Sequence, residues 1–383
     1  MSRIAVAETA ILADLTHDQR RKIPALTGIR GYAALWVVAF HCAGMGWHHF
    51  TGTWAQTEQV PFIISGYLGV ELFFVLSGFI LTKIYGTAVS NIVGLRDFAV
   101  GRVFRILPVY WLSLVMLALI APLMHGNWLG GYIHNLPNLA RCFLLIQSWV
   151  GRSTVWNPPG WSLSAEWLAY FIFPLLSIVS VKLRRAPMII GLALAALLAL
   201  RLIYYRSGYT SLNNVEGTFA LARCLCEFTI GVALARLHQI GWTGARLGDG
   251  LLVAGLLLLL PPMVAERFDF LAIVAFSFMV LSAGSHSRYA HALFGNRVAH
   301  FLGEISFSIY VLHWLILELT MRFVPGTTPL VIALVAVPFV VVPLAWATWR
   351  WVEVPGQAAG RVVIARLRAR DAARRAPPTS SAR

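Results

Sequence analysis

The stretch at residues 29–41, IRGYAALWVVAFH, is apolar except for Arg30 near its start and His41 at its end. Its neighbours extend the apolar run over 25–46, about the 20 residues a helix needs to cross roughly 30 Å of hydrocarbon at 1.5 Å per residue. Nine further windows of this kind follow, at 62–85, 106–125, 161–181, 187–206, 217–236, 249–265, 269–284, 304–321 and 330–351. The chain is 58% hydrophobic and only 12% charged, far from soluble-domain averages. The expected fold class is therefore all-α, a polytopic membrane protein of about ten transmembrane helices. The windows at 249–265 and 269–284, parted only by AERFD, are the least distinct.

A net charge of +15 would suit a nucleic-acid partner, but the basic residues alternate with the spans. With the N-terminus in the cytoplasm, about 23 of the 31 Lys and Arg fall on one side and about five on the other, as the positive-inside rule requires. The excess is topological; both termini are expected to be cytoplasmic, and no nucleic acid is implied. Residues 1–22 are polar and mixed, without the pattern of a cleaved signal; 1–24 form a cytoplasmic N-terminal segment and 356–383 a basic cytoplasmic tail. The tail can begin as an amphipathic helix on the inner surface. Cys42, Cys142, Cys224 and Cys226 lack metal-ligand spacing and read as small apolar fillers. One connection is long. Residues 126–160 carry an apolar segment and then NPPGW, a rigid turn into the fourth span, and long loops of this kind often shape binding sites.

Arg30 and His41 lie eleven residues apart, close to three helical turns, so both project from one face about 16 Å apart along the axis. If Arg30 enters at the membrane border, His41 lies past mid-membrane, where an ionisable group must face protein or a water-filled cavity. The bland alternative has Arg30 snorkelling to headgroups and His41 satisfying a carbonyl. Glu71, in GYLGVELFFVLSGFILTKIY, sits at a depth that approaches His41; beside an imidazole it would orient a general base, or else it is a protonated structural group. Ser65 and Ser77 with Gly66, Gly69 and Gly78 read as small packing residues. Arg102 and Arg105, three apart before Pro108, suit a bidentate phosphate clamp, although arginines just inside a membrane also serve topology alone.

Glu166 opens the fourth span among Trp161, Trp167 and Tyr170, an arrangement that fits either a sugar-binding surface at the outer mouth or an aromatic belt. In SFSIYVLHW, Tyr310 and His313 are three apart; in WVEVPGQ, Glu353 closes the tenth span and can cap or pair near Arg350. Arg223 and Glu227, four apart, are expected to neutralise each other.

Taken in order, LTGIRGYAALWVVAFH, GVELFFVLSGF, FAVGRVFRILPVY, WSLSAEWLAYF, SFSIYVLH and VEVPG resemble the acyltransferase type 3 family of membrane O-acyltransferases, over residues 26–355. The resemblance implies a ten-helix domain at 25–355 that moves an acyl group, commonly acetyl, from cytoplasmic acyl-coenzyme A to a hydroxyl, often of a surface glycan. The family's Arg and His separated by ten residues map to Arg30 and His41, and its Arg-x-x-Arg pair to Arg102 and Arg105. The family's frequent aspartate after Gly-Val is Glu71 here. Many relatives carry an added domain or helix, so this chain is expected to act through its membrane domain alone.

The resulting expectation is an enzyme of the bacterial cytoplasmic (inner) membrane. Its co-substrate is acyl-CoA, acetyl-CoA above all, with no metal or prosthetic group. Its acceptor is a carbohydrate or lipid-linked glycan, and its remaining partner is membrane lipid. His41, oriented by Glu71 and aided by Arg30, handles the thioester; Arg102 and Arg105 hold donor phosphates. Trp161, Glu166 and Tyr170 meet the acceptor, and Tyr310, His313 and Glu353 support the site or its oxyanion. Direct transfer and an acyl-histidine intermediate remain alternatives, as does a small glycosylated acceptor. A transporter is the rival class; it would show inverted repeats and broken helices in matching halves, which the sequence lacks. A receptor would not need the arginine pair and a buried histidine together.

Overall fold

The computed structural model describes residues 23–51, 61–125, 135–150, 155–209, 211–213, 217–324 and 326–375. Their regular structure is all helical. The long helices are α1 (Pro24–Thr51), α2 (Gly69–Tyr85) and α3 (Ile92–His125), then a short α4 (Leu136–Phe143), followed by α5 (Gly160–Lys182), α6 (Ala186–Arg206) and α7 (Gly217–Gln239). After them come α8 (Ala245–Leu258), α9 (Asp269–Gly284), α10 (Arg297–Glu304), α11 (Ser306–Phe323), α12 (Thr327–Thr348) and α13 (Val354–Arg375). Nine helical stretches of the described residues are long and apolar enough to cross a membrane, or ten if α10 and α11, bent by 65° between them, count as one span. This is a multi-pass membrane protein with the number of spans read from the sequence. Below, the end carrying Arg30, Arg102, Arg105 and Arg297 is called the basic end.

Without water in hydrocarbon, each span must satisfy its own backbone, which a helix does. Helix association then rests on close packing of small residues. One close approach joins α2 to α7: a Cβ on Gly78 would collide with the Phe228 carbonyl oxygen, and one on Gly231 with that of Val75. Residues 75–79 therefore lie against 228–232, so the two helices run parallel and in register. A second close approach lets α10 cross α1, with Gly303 against the Thr27 carbonyl, while Gly28 meets the carbonyl of Phe294 just before α10.

Two spans differ from their expected bounds. The third begins at Ile92 rather than 106, because Arg96, Asp97, Arg102 and Arg105 are carried on the same helix as the apolar half. The tenth does not stop at 351: a π-helical turn at Trp349–Glu353 joins α12 to α13. The tail's first part is thus helical through Arg375, docked on α3 rather than laid apart. Arg368 Nε donates to Asp97 Oδ2 at 2.6 Å and Arg96 Nη1 to Asp371 Oδ2 at 2.6 Å, while Gly356 and Gly360 let α13 close on Phe104. Residues 376–383, like 1–22, 126–134 and 151–154, lie outside the described residues.

The described part of the 126–160 connection is tied to the bundle through its polar side chains, while Leu136, Leu144 and Val150 stay exposed. Asn135 caps α4 by accepting from Asn138 N. Gln147 Nε2 donates to Tyr110 Oη and the Gly160 carbonyl; Asn157 Nδ2 donates to Ser113 Oγ at 3.2 Å and to the Val311 carbonyl at 3.1 Å. Its polar residues take backbone partners inside the protein, so the loop anchors the start of α5 against α3 and α11.

Candidate active site

Two histidines from distant parts of the chain meet inside the bundle. His41 on α1 and His313 on α11 place Nδ1 and Nε2 3.1 Å apart, and His313 Nδ1 lies 2.7 Å from the Tyr310 carbonyl oxygen. A carbonyl only accepts, so the proton of His313 resides on Nδ1. In the neutral ring its Nε2 is then an acceptor, and His41 must donate from Nδ1. The lone pair of His41 Nε2 is thereby left for a substrate. Trp314 meets the His41 ring edge-on, with centroids 5.5 Å apart.

Tyr310 is one helical turn before His313. Its hydroxyl donates to the Pro159 carbonyl at 3.0 Å and lies 2.7 Å from Ser162 Oγ. The Tyr310 hydroxyl is held by the Pro159 carbonyl and Ser162, and the Nδ1 proton of His313 by the Tyr310 carbonyl, so both groups support the His41 side of the site.

Glu71 does not orient His41. It is fully buried and pairs with Arg223: Nε donates to Oε2 at 2.8 Å and Nη2 donates to Oε1. The reason is the α2–α7 register. Glu71 precedes Gly78 by seven residues and Arg223 precedes Gly231 by eight, so parallel helices joined at the glycines hold the two side chains at one depth. Arg223 is thereby taken from Glu227, its expected partner; both carboxylate oxygens of Glu227 are buried and lack a hydrogen bond. Arg223 Nη1 also donates to the Leu212 carbonyl, and its guanidinium stacks 4.9 Å over Trp161.

Trp161 is consequently packed within the protein, 6% exposed, and is not a free platform for a sugar ring. Five residues separate it from Glu166, about 140° around the helix, which puts the two on different faces. Glu166 points inward, where Ser77 Oγ donates to it and the Tyr170 hydroxyl adjoins it. It lies within Coulombic range of Arg30 and Arg102, deep in the bundle instead of at the outer mouth. Ser77, read from sequence as packing, belongs to this group.

At the basic end, Arg102 Nη2 donates to Tyr85 Oη at 3.4 Å, and its guanidinium sits 5.5 Å from the Tyr85 ring and 6.0 Å from that of Tyr170. Its Nε is buried with no hydrogen-bond partner. Arg105 approaches Glu353 loosely, at 3.9 Å. Glu353 is fixed by Ser308 Oγ at 3.0 Å and Gln357 Nε2 at 3.1 Å, and the π-helical turn is what directs it inward. Such turns concentrate at functional sites. Arg30 shares this region, within Coulombic range of Arg105, Glu353 and Glu304. Three guanidiniums therefore share this region with the carboxylates of Glu166, Glu304 and Glu353, and Arg105–Glu353 comes within ion-pair distance.

The model of a family described as the acyltransferase domain matches residues 23–350, most of the chain and every residue of the site except Glu353 and Gln357. The chain belongs to that acyltransferase family. Acyltransferase MdmB of Streptomyces mycarofaciens is 27% identical over 80% of this chain and 81% of its own length. Peptidoglycan O-acetyltransferase OatA of Listeria monocytogenes is 25% identical over 89% of this chain. The acyltransferase spans only 56% of OatA's length. No solved structure matches it.

Acyl transfer requires a base for the acceptor hydroxyl and a means of holding the donor. In this acyltransferase the described residues bring Arg30, Arg102 and Arg105 together at one depth and His41 with His313 at another. They separate Glu71 and Trp161 from both groups.

Proposed function

We propose that this protein moves an acyl group, acetyl above all, from acyl-CoA bound at the basic end to a hydroxyl of a carbohydrate acceptor reaching His41 from the opposite end. The supporting observation is the layout of α1: a bared imidazole nitrogen about 16 Å of helix rise from a guanidinium cluster, within reach of an extended pantetheine arm. The basic end is the cytoplasmic one by charge asymmetry, with both termini on that side and the protein in a bacterial cytoplasmic membrane. OatA's name supports a glycan acceptor.

In this reading Arg102, Arg105 and Arg30 take the donor phosphates, with the buried Arg102 Nε supplying an unspent donor. His41 Nε2 removes the acceptor hydroxyl proton as the oxygen attacks the thioester carbonyl carbon. The developing imidazolium strengthens its Nδ1–H bond to His313, whose own proton stays on Nδ1, donated to the Tyr310 carbonyl. Collapse of the tetrahedral intermediate breaks the C–S bond, and the thiolate takes the proton from His41. The products are an ester and free CoA. Glu166, beside Arg30 and Arg102 and bound by Ser77, lies between the two layers and accepts a hydroxyl or amide donor of either substrate.

The test is thiol release by the purified full chain in nanodiscs supplied with acetyl-CoA and a carbohydrate acceptor. Acceptor-dependent thiol release that His41→Ala loses supports the reading. A stoichiometric burst of thiol without acceptor would instead make His41 Nε2 the nucleophile of an acyl-histidine. Full turnover by the alanine variant would remove His41 from the chemistry.

A further inference from the structure

A cavity of about 360 Å³ lies at the basic end, outside the arginine cluster. Pro24 at the start of α1, Arg297, His300, Phe301 and Glu304 on α10, and Trp349 at the first residue of the π-helical turn form its wall. Glu304 links it to the site: it lines the cavity and lies within Coulombic range of both Arg30 and Glu353. The cavity is therefore the next space outward from the place where the donor phosphates are assigned.

We propose that this cavity receives the nucleotide end of the acyl-CoA donor, the adenine between Trp349 and the ring of Phe301 and a ribose phosphate on Arg297. The inference rests on the acyl-CoA reading above and extends it to a subsite that the Arg-x-x-Arg motif does not contain. Size is compatible with it, because about 360 Å³ falls at the low end of small-ligand pockets, room for one end of the cosubstrate. Chemistry favours it: an indole and a phenyl offer stacking faces, Arg297 is an exposed cation, and the Glu304 carboxylate is an acceptor for an exocyclic amino group.

Order along α1 is the third argument. From Pro24 to Arg30 the helix rises about 9 Å and from Pro24 to His41 about 25 Å. A molecule with its base at Pro24, its diphosphate at Arg30 and its thioester at His41 is laid out in the sequence of its own covalent structure. The route passes Glu304, which belongs to both spaces.

The experiment compares two donors on the full chain in nanodiscs: acetyl-CoA, and S-acetyl-4′-phosphopantetheine, which lacks the nucleotide. Arg297→Gln and Trp349→Leu are each expected to lower the preference for acetyl-CoA over the short donor about tenfold, the worth of one charge-assisted contact or one aromatic stacking pair. Inhibition by 3′,5′-ADP should weaken in parallel. Turnover of the short donor by the variants reports that they are folded. Equal losses for both donors, or an unchanged preference, would overturn the subsite. If preference is unchanged while exchanging neutral for anionic nanodisc lipid alters activity in wild type but not in the variants, the cavity is a lipid-headgroup site. If wild type releases thiol from neither donor, the acyl-CoA reading itself falls, and the subsite with it.

Discussion

Two buried charge clusters in this protein are built from the same chemistry and differ in how completely it is used. In the cluster of Glu71 and Arg223, every nitrogen of the guanidinium is engaged, two with carboxylate oxygens and one with the Leu212 carbonyl, while Trp161 covers its face. At the basic end, Arg102 retains a buried unbonded Nε, Arg105 stands 3.9 Å from its carboxylate, and Arg30 has no ion pair among the described residues. Charges in a membrane protein are costly. A saturated pair offsets that cost internally and acts as architecture, although Glu227 beside it keeps two buried oxygens without a hydrogen bond; guanidiniums left with spare donors suit a ligand of opposite charge.

The sharpest break in this division should come from His41. His41→Ala is expected to reduce transfer by about 10²–10⁴-fold, the range of a general base, with the protein still monodisperse in detergent. Comparable activity would place the chemistry elsewhere. Next in size is Arg223→Ala, which strands Glu71 beside Glu227 and should destabilise the fold by about 3–5 kcal/mol, read as a fall in thermal stability of the detergent-solubilised protein. Replacing both partners, Glu71→Leu with Arg223→Met, should restore most of that loss. If the double variant is as unstable as the single one, the pair does more than hold helices together.

At the basic end the order reverses, with binding lost and stability kept. Arg102→Ala and Arg105→Ala should each weaken donor binding by about 1.5–3 kcal/mol, and lysine should rescue only in part because it cannot bind bidentately. Normal donor affinity in the Arg102→Ala/Arg105→Ala variant would reassign both residues to topology. The smallest effect belongs to Ser308→Ala. Glu353 keeps Gln357 as a donor, so a severalfold rise in KM for donor with kcat unchanged is expected from steady-state kinetics.

Which parts of this were legible in the sequence follows from the range of the forces involved. The spans, and the depth difference between Arg30 and His41, are local properties of one helix, and window hydropathy with a 1.5 Å rise captures them. Partner choice is not local. His313 lies 272 residues from His41, and only the bundle's packing shows that the side chain bonded to His41 is an imidazole and not Glu71. The α2–α7 register did leave a trace, in Gly78 and Gly231, but a glycine pair states closeness only after one knows which helices meet. The inward turn of Glu166 was readable from helical phase, since Tyr170 shares its face and Trp161 does not. The π-helical turn that aims Glu353, and the folding of Asn157 and Gln147 into the bundle, arise from tertiary contacts that no short window contains.

The separation of Glu71 from Arg223 along the chain also has a meaning for synthesis. The two residues are 152 positions apart, and at about 5–20 residues per second the second emerges from the ribosome roughly 8–30 s after the first. During that interval α2 carries a carboxyl into the membrane before its cation exists. Insertion of this span must therefore be secured by its own phenylalanines, leucines and valines, with α7 arriving later to a partner already in place. Biogenesis of the bundle is thus a matter of timing, in which one helix waits for another.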